Sequence, residues 1–159
     1  NPENLNRVVQ LFQKTNQFNL TTRRHREEDL KKLKRNGGQI YSVSYEDTFG
    51  SQGIISVIAL VQKPDVLFIE SWLMSCRVLN RTVEQAVFEF ILTKANGKQV
   101  KGEYIPTEKN ELVQSLFKTL GFKKNISAQE NNSTKIEWIY ANYDLNDLSI
   151  KHYALVKEV

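Results

Sequence analysis

Eight consecutive residues, Ser75-Cys76-Arg77-Val78-Leu79-Asn80-Arg81-Thr82, separate an apolar stretch (Val66-Leu67-Phe68-Ile69-Glu70-Ser71-Trp72-Leu73) from an amphipathic one that opens at Val83. A turn that delivers a strand into a helix N-terminus leaves backbone N–H groups unpaired at the positive end of the helix dipole. That arrangement suits a phosphate or pyrophosphate. Asn80 tolerates the left-handed conformation such turns use. Thr82-Val83-Glu84-Gln85 also fits a helix capping box, in which the Thr hydroxyl and the Gln side chain satisfy the N–H groups a phosphate would take. Both readings of Thr82 stand.

Glu70 sets a carboxylate inside the strand that leads to this turn. Partial burial would raise its pKa and let it deprotonate an amine, directly or through water. Strand alternation could equally turn it to solvent or to a neighbouring Arg. Cys76 follows the strand end, close to a helix N-terminus that could lower a thiol pKa, and it also fits a small buried residue. The run Thr21-Thr22-Arg23-Arg24 could recognise a carboxylate or phosphate through its guanidinium groups, or edge a strand with solvated charge.

The elements that would position these groups are legible from periodicity. Val83, Ala86, Val87, Phe90 and Ile91 recur at helical spacing until Asn96-Gly97, which gives a helix over 83–95. Residues 8–14 form a short helical pattern, residues 19–24 an extended segment, and residues 27–35 a helix with acids first, bases last and Gly37 as its stop. Residues 39–46 and 53–62 are β-rich and flank a longer loop at 49–53. Pro64-Asp65 marks a tight turn, so that these runs and 66–73 form an antiparallel meander. A strand at 98–105 precedes a helix beginning at Pro106-Thr107, with Leu112, Val113, Leu116, Phe117 and Leu120 on one face and Gly121 as its end. Weak strand character at 122–126 and strong strand character at 135–143 follow, and the tail from Asp144 is ambiguous. Strand, helix, three strands, helix, strand, helix, two strands make an α/β domain around one mixed or mostly antiparallel sheet.

Composition narrows the setting. The 159 residues, 40% hydrophobic and 25% charged, are one domain's worth of chain with enough apolar residues for a core. The longest apolar run, 54–61, is too short to span a membrane. A single cysteine forbids an internal disulfide and fits a reducing, cytoplasmic setting. His25 and His152 are too far apart in sequence to suggest a His/Cys zinc site. The net charge of +4 is mild, and the basic run at 23–26 is answered at once by Glu27-Glu28-Asp29, so no nucleic-acid partner is expected. The chain opens Asn1-Pro2 without Met, as expected of a piece of a longer protein.

The element order, the Arg-x-x-Asn-x-Thr turn at 77–82, and Asn110 followed by Phe117 and Leu120-Gly121-Phe122 resemble the GCN5-related N-acetyltransferase superfamily over nearly the whole chain. Three segments more specifically resemble the C-terminal domain of FkbH-like proteins: 15–24, Ser75-Cys76-Arg77-Val78-Leu79 with Val83-Glu84, and Pro106-Thr107-Glu108-Lys109-Asn110. The resemblance implies an acyl-CoA N-acyltransferase fold with a central mixed, mostly antiparallel sheet flanked by helices. It implies acetyl-CoA or an acyl-phosphopantetheine as ligand, with Arg77, Val78, Leu79, Asn80, Arg81 and Thr82 at the pyrophosphate. The pantetheine arm would then lie along the backbone of Glu70, Ser71 and Trp72, near Asn110 and Phe117, with Glu70 as base. Asn110 could contact the pantetheine amide or cap the helix near Thr107. Phe117 stands where many superfamily members carry a Tyr acid and cannot donate a proton, while Asn80 and Thr82 replace the two customary turn glycines. FkbH-like proteins load a glyceryl unit onto an acyl carrier protein, which implies that carrier as a partner. They also carry an upstream haloacid-dehalogenase-like domain, whose Asp-x-Asp motif this chain lacks. The alternative to a transferase is a catalytically degenerate module that docks carrier protein or substrate for that domain.

Overall fold

The computed structural model describes residues 2–15, 19, 21, 23–47, 50–75, 83–107, 110, 115–125, 136–144 and 154–159. Helix α1 (Pro2–Lys14) begins well before the periodic stretch at 8–14, with Pro2 at the first helical position, where a missing N–H costs nothing. Helix α2 (Glu27–Arg35) has the expected bounds. The Asp29 carboxylate accepts the Arg26 backbone N–H at 2.9 Å, and acids and bases complement the two ends of its dipole. The meander then forms as expected from β1 (Gly38–Asp47), β2 (Gly50–Gln62) and β3 (Val66–Met74), paired antiparallel. The β1–β2 strands run closer together than the expected loop at 49–53 allowed, because Asp47 pairs with Gly50 and register shifts around Ser44 absorb the extra residues.

Helix α3 (Val83–Ala95) carries the chain over the sheet to β4 (Gln99–Tyr104), which pairs parallel to β3. Such a pairing needs a crossover of this length. Helix α4 (Leu116–Leu120) ends where expected. Gly121 takes φ +99°, and Phe122 N–H bonds to Phe117 O at 2.8 Å, closing the last turn. Strands β5 (Lys123–Lys124), β6 (Ile136–Tyr140) and β7 (Ala154–Glu158) complete a sheet of order β5-β6-β4-β3-β2-β1-β7, in which only β3–β4 is parallel. The part of the ambiguous tail that is described beyond Asp144 thus supplies an edge strand against β1.

Two expectations are corrected. Among the described residues of the 19–24 segment, the ladder contact is an isolated bridge from Asn19 to Leu73, not a strand. No helix starts at Pro106-Thr107 either, since residues 105–107 and Asn110 are not helical. There the Asn110 side-chain oxygen accepts the Thr107 N–H at 2.7 Å and the Thr107 hydroxyl accepts the Asn110 N–H at 3.2 Å. These reciprocal bonds have the pattern of a capping box, although Asn110 itself is not helical.

The sheet has two apolar faces. One packs Leu67, Ile69, Trp72 and Met74 of β3 against α3, Phe117 and Phe122. The other packs Leu73, Val57 and Ile40 against Val8, Leu11 and Phe12 of α1 and Leu30 of α2. On the first face the Phe117 ring lies directly on Gly102. A β-carbon built there would come within 2.4 Å of its Cζ, and the ring is hemmed in by Phe122 at 4.8 Å and Trp138 at 6.3 Å. Gly102→Ala is therefore expected to destabilise the domain by about 2 kcal/mol through overpacking, read as a lower midpoint in urea denaturation. An unchanged midpoint would mean that the ring moves freely.

Two irregularities of β3 prepare the site. Ser71 pairs with Ala59 and Ile69 with Leu60, so Glu70 is the extra residue of a β-bulge. The bulge shifts the alternation by one position. Leu67 and Ile69 before it and Trp72 and Met74 after it all reach the same core. Meanwhile the β3–β4 ladder stops at Ile69 and Gly102, and β3 runs on to Met74 without β4 beside it.

Candidate functional site

Glu70 stands at the point where the parallel strands part, and it is half-buried under the α1–α2 connection. His25 Nε2 lies 2.8 Å from its Oε1 and 3.1 Å from its Oε2, and the Ser71 hydroxyl donates to Oε2 at 2.6 Å. Arg23 approaches from the same connection. Its Nη1 donates to the Glu70 carbonyl oxygen and lies 3.6 Å from Oε1, while its Nη2 donates to Glu103 Oε2 on β4 at 3.0 Å. One guanidinium thus ties the bulge of β3 to β4. Phe12 of α1 meets the His25 ring edge-on at 5.0 Å, and Gln13 Nε2 donates to the carbonyls of Arg24 and His25, both at 3.2 Å. These contacts fix the imidazole against the carboxylate.

Burial pushes the Glu70 carboxyl upward, but the hydrogen bonds from His25 and Ser71 and the charges of His25 and Arg23 outweigh it and hold it below the usual carboxylate range. Of the two readings open for Glu70, the raised base gives way to a firmly ionised carboxylate beside Arg23, a weak base and a strong hydrogen-bond acceptor. Because it accepts, His25 Nε2 carries the hydrogen, and a neutral imidazole keeps its lone pair on Nδ1. Among the described residues no hydrogen bond to Nδ1 is found, and the His25 side chain is 18% exposed. A carboxylate holding one ring nitrogen so that the other can take a proton is the logic of catalytic His–carboxylate pairs.

The other candidates fall into three groups. Ser71 is fully buried with its hydroxyl on Glu70, and Trp72 is fully buried in the α3-side core. Phe117 lies in the same core, enclosed by Gly102, Phe122 and Trp138. Asn110, also fully buried, bonds the chain to itself. Its Nδ2 donates to Asn19 O at 3.1 Å and Ile105 O at 2.9 Å, while its Oδ1 accepts from Thr107 N and from the Tyr104 hydroxyl at 3.3 Å. Cys76, Arg77, Val78, Leu79, Asn80, Arg81 and Thr82 lie outside the described residues. His25 and Glu103 were not singled out from sequence. His25 sits in a run that reads as surface charge, and its partner is 45 residues away. Among the described residues there is no cluster of His, Cys, Asp or Glu fit for a metal ion and no helix long and apolar enough to cross a membrane.

The lowered Glu70 pKa has a consequence for stability. Its contribution is fully present above the ordinary carboxylate pKa of about 4.3 and is lost as pH falls through the lower folded-state value. Glu70→Gln should flatten the acid limb of the stability–pH curve below about pH 4.5, as followed by thermal midpoints. An acid limb as steep as that of the parent would show that the carboxylate gains nothing from its partners.

A scan of known family profiles finds no match to this chain, and neither does a search of curated proteins. Solved structures do match in shape. An acetyltransferase of the GNAT family from Staphylococcus aureus Mu50 superposes with a TM-score of 0.60 at 12% identity, over 87% of this chain and 93% of that one. The GphF GNAT-like decarboxylase, solved with isobutyryl-CoA, gives 0.61 at 11% identity, over 89% and 96%. A phosphinothricin acetyltransferase of the GNAT superfamily from Sinorhizobium meliloti, solved with AcCoA, gives 0.54 at 11%, over 87% and 83%. At these identities the likeness establishes the fold, a seven-stranded mixed sheet flanked by helices in the GNAT arrangement.

Proposed function

We propose that this domain acts on an acyl thioester, carried by CoA or by the phosphopantetheine arm of an acyl carrier protein, and passes a glyceryl-type acyl group to a nucleophile. In this reading it is the GNAT-like domain of an FkbH-like protein. The observation that carries the reading is the His25–Glu70 pair, seated on the β3 bulge where β4 turns away. CoA ligands in two proteins of the same fold agree with it.

In the proposed reaction the nucleophile attacks the thioester carbonyl while His25 Nδ1 takes its proton. The ionised Glu70 steadies the imidazolium that forms. The tetrahedral intermediate then collapses, the C–S bond breaks, and the proton on Nδ1 passes to the departing thiolate. That return of the proton accounts for the absence of a Tyr at Phe117, because a thiol with a pKa of about 8.5 is a good leaving group and needs little help. Positioning supplies most of the remaining rate.

A second reading, a non-catalytic docking module serving an upstream haloacid-dehalogenase-like domain, is favoured by one observation. Arg23 already bonds the Glu70 carbonyl, and Asn19 already bridges to Leu73, along the edge a pantetheine arm would use. Calorimetry separates the two. Micromolar binding of acetyl-CoA that Arg77→Ala abolishes without lowering the thermal midpoint is the expected result. Silence with acetyl-CoA together with binding of holo carrier protein would overturn the transferase reading in favour of the module.

A further inference from the structure

The edge that β3 presents after β4 departs is covered by the chain itself. Leu73 already pairs with Val57 of β2 on one side, so the Asn19 bridge to Leu73 lies on the other, vacated side. Arg23 follows, with one nitrogen on the Glu70 carbonyl of β3 and another on the Glu103 carboxylate of β4. Asn110 holds the Asn19 carbonyl from the connection after β4. Asn19 and Asn110 are both essentially inaccessible to solvent. Polar groups buried this deeply are normally there because they are bonded, and here the bonds run across the opening between the parted strands.

We propose that Asn19 and Arg23 form a removable clamp across the β3–β4 opening, an internal stand-in for an extended, amide-bearing ligand that must displace it to reach the β3 edge. For the identity of that ligand the clamp rests on the thioester reading above. The physical basis is competition for one set of backbone groups. A strand edge offers each N–H and C=O once, so a pantetheine arm and the Asn19–Leu73 bridge cannot use it together. The observed affinity is then the intrinsic affinity reduced by the fraction of molecules with the clamp open. The clamp hangs on a charge-assisted bond at Glu103 that the ligand does not need, so weakening that bond raises the open fraction without touching the ligand's own contacts.

The test uses the full chain, Glu103→Gln, coenzyme A as probe, calorimetry and amide hydrogen exchange. The clamp predicts a lower thermal midpoint for Glu103→Gln yet about tenfold tighter binding of coenzyme A. It also predicts faster exchange at the Asn19 and Arg23 amides when coenzyme A is bound. Unchanged or weaker binding by Glu103→Gln, with those amides equally or better protected in the complex, would overturn it. Should coenzyme A give no heat with either protein, the coenzyme A form of the thioester reading fails, and exchange in the free chain decides the clamp. Opening of the Asn19 and Arg23 amides ahead of those of Leu67 and Ile69 sustains it, and exchange of all four only through global unfolding refutes it.

Discussion

His25→Gln is expected to slow acyl transfer by about 10²- to 10⁴-fold, the usual worth of a positioned general base, while leaving the thermal midpoint and the affinity for coenzyme A close to those of the parent. Gln is the informative replacement because its amide N–H₂ can still donate to Glu70, now bonded to Nε2 at 2.8 Å, so the connection to the bulge is kept. What it loses is the second ring nitrogen and with it the place for a proton. Single-turnover transfer from an acyl thioester, compared with equilibrium binding, separates the proton-transfer role from a structural one. A rate within threefold of the parent would show that His25 is a packing partner of Phe12 and Glu70 and that the base lies elsewhere.

Asn110→Ala is expected to cost about 3 to 5 kcal/mol of stability, among the larger effects available to a polar residue in this domain. The Asn110 amide is fully buried and meets the carbonyls of Asn19 and Ile105, the Thr107 N–H and the Tyr104 hydroxyl. Truncation removes these bonds from a site closed to water, and each buried group that is left unsatisfied costs about 1 to 3 kcal/mol, less than additively because they share one site. Asn110→Asp should also be destabilising, since the carboxylate keeps the acceptor, loses both donor bonds and adds a buried charge. Urea denaturation measures both. A midpoint near that of the parent would leave Asn110 available for a ligand amide.

The sequence made the local elements readable wherever one force dominated. The ends of α2 followed from dipole-matched charges, the span of α3 from apolar spacing up to Asn96-Gly97, and the meander from three β-rich runs with turn residues between them. Glu70 was legible as a strand carboxylate beside the turn, and an Arg neighbour was one of its open readings. The direction of its pKa was not legible, because it depends on His25 and Arg23, which only the tertiary fold brings to it. The bulge was equally hidden. It appears when Ile69 and Ser71 are paired with adjacent residues of β2, and nothing in the β3 composition marks Glu70 as the extra one. At Pro106-Thr107 the apolar spacing suggested a helix, but residues 105–107 and Asn110 are not helical, and the bonds between Thr107 and Asn110 could not be read from spacing.

Strand β7 also governs how the chain reaches this state. Its residues pair with β1 from Tyr41↔Glu158 to Tyr45↔Ala154, the Val159 N–H bonds to the Ile40 carbonyl at 2.8 Å, and Lys34 Nζ of α2 holds the Val159 carbonyl at 2.6 Å. The meander and the helices beside it are local and can assemble early, whereas this pairing joins distant parts of the chain and bears the full entropy of closing the loop between them. While the polypeptide is still being made, β1 therefore waits as an open sheet edge facing other nascent chains, the geometry in which strand-mediated aggregation begins. Completion of that edge is a kinetic vulnerability, placed on the opposite flank of the sheet from the parting of β3 and β4.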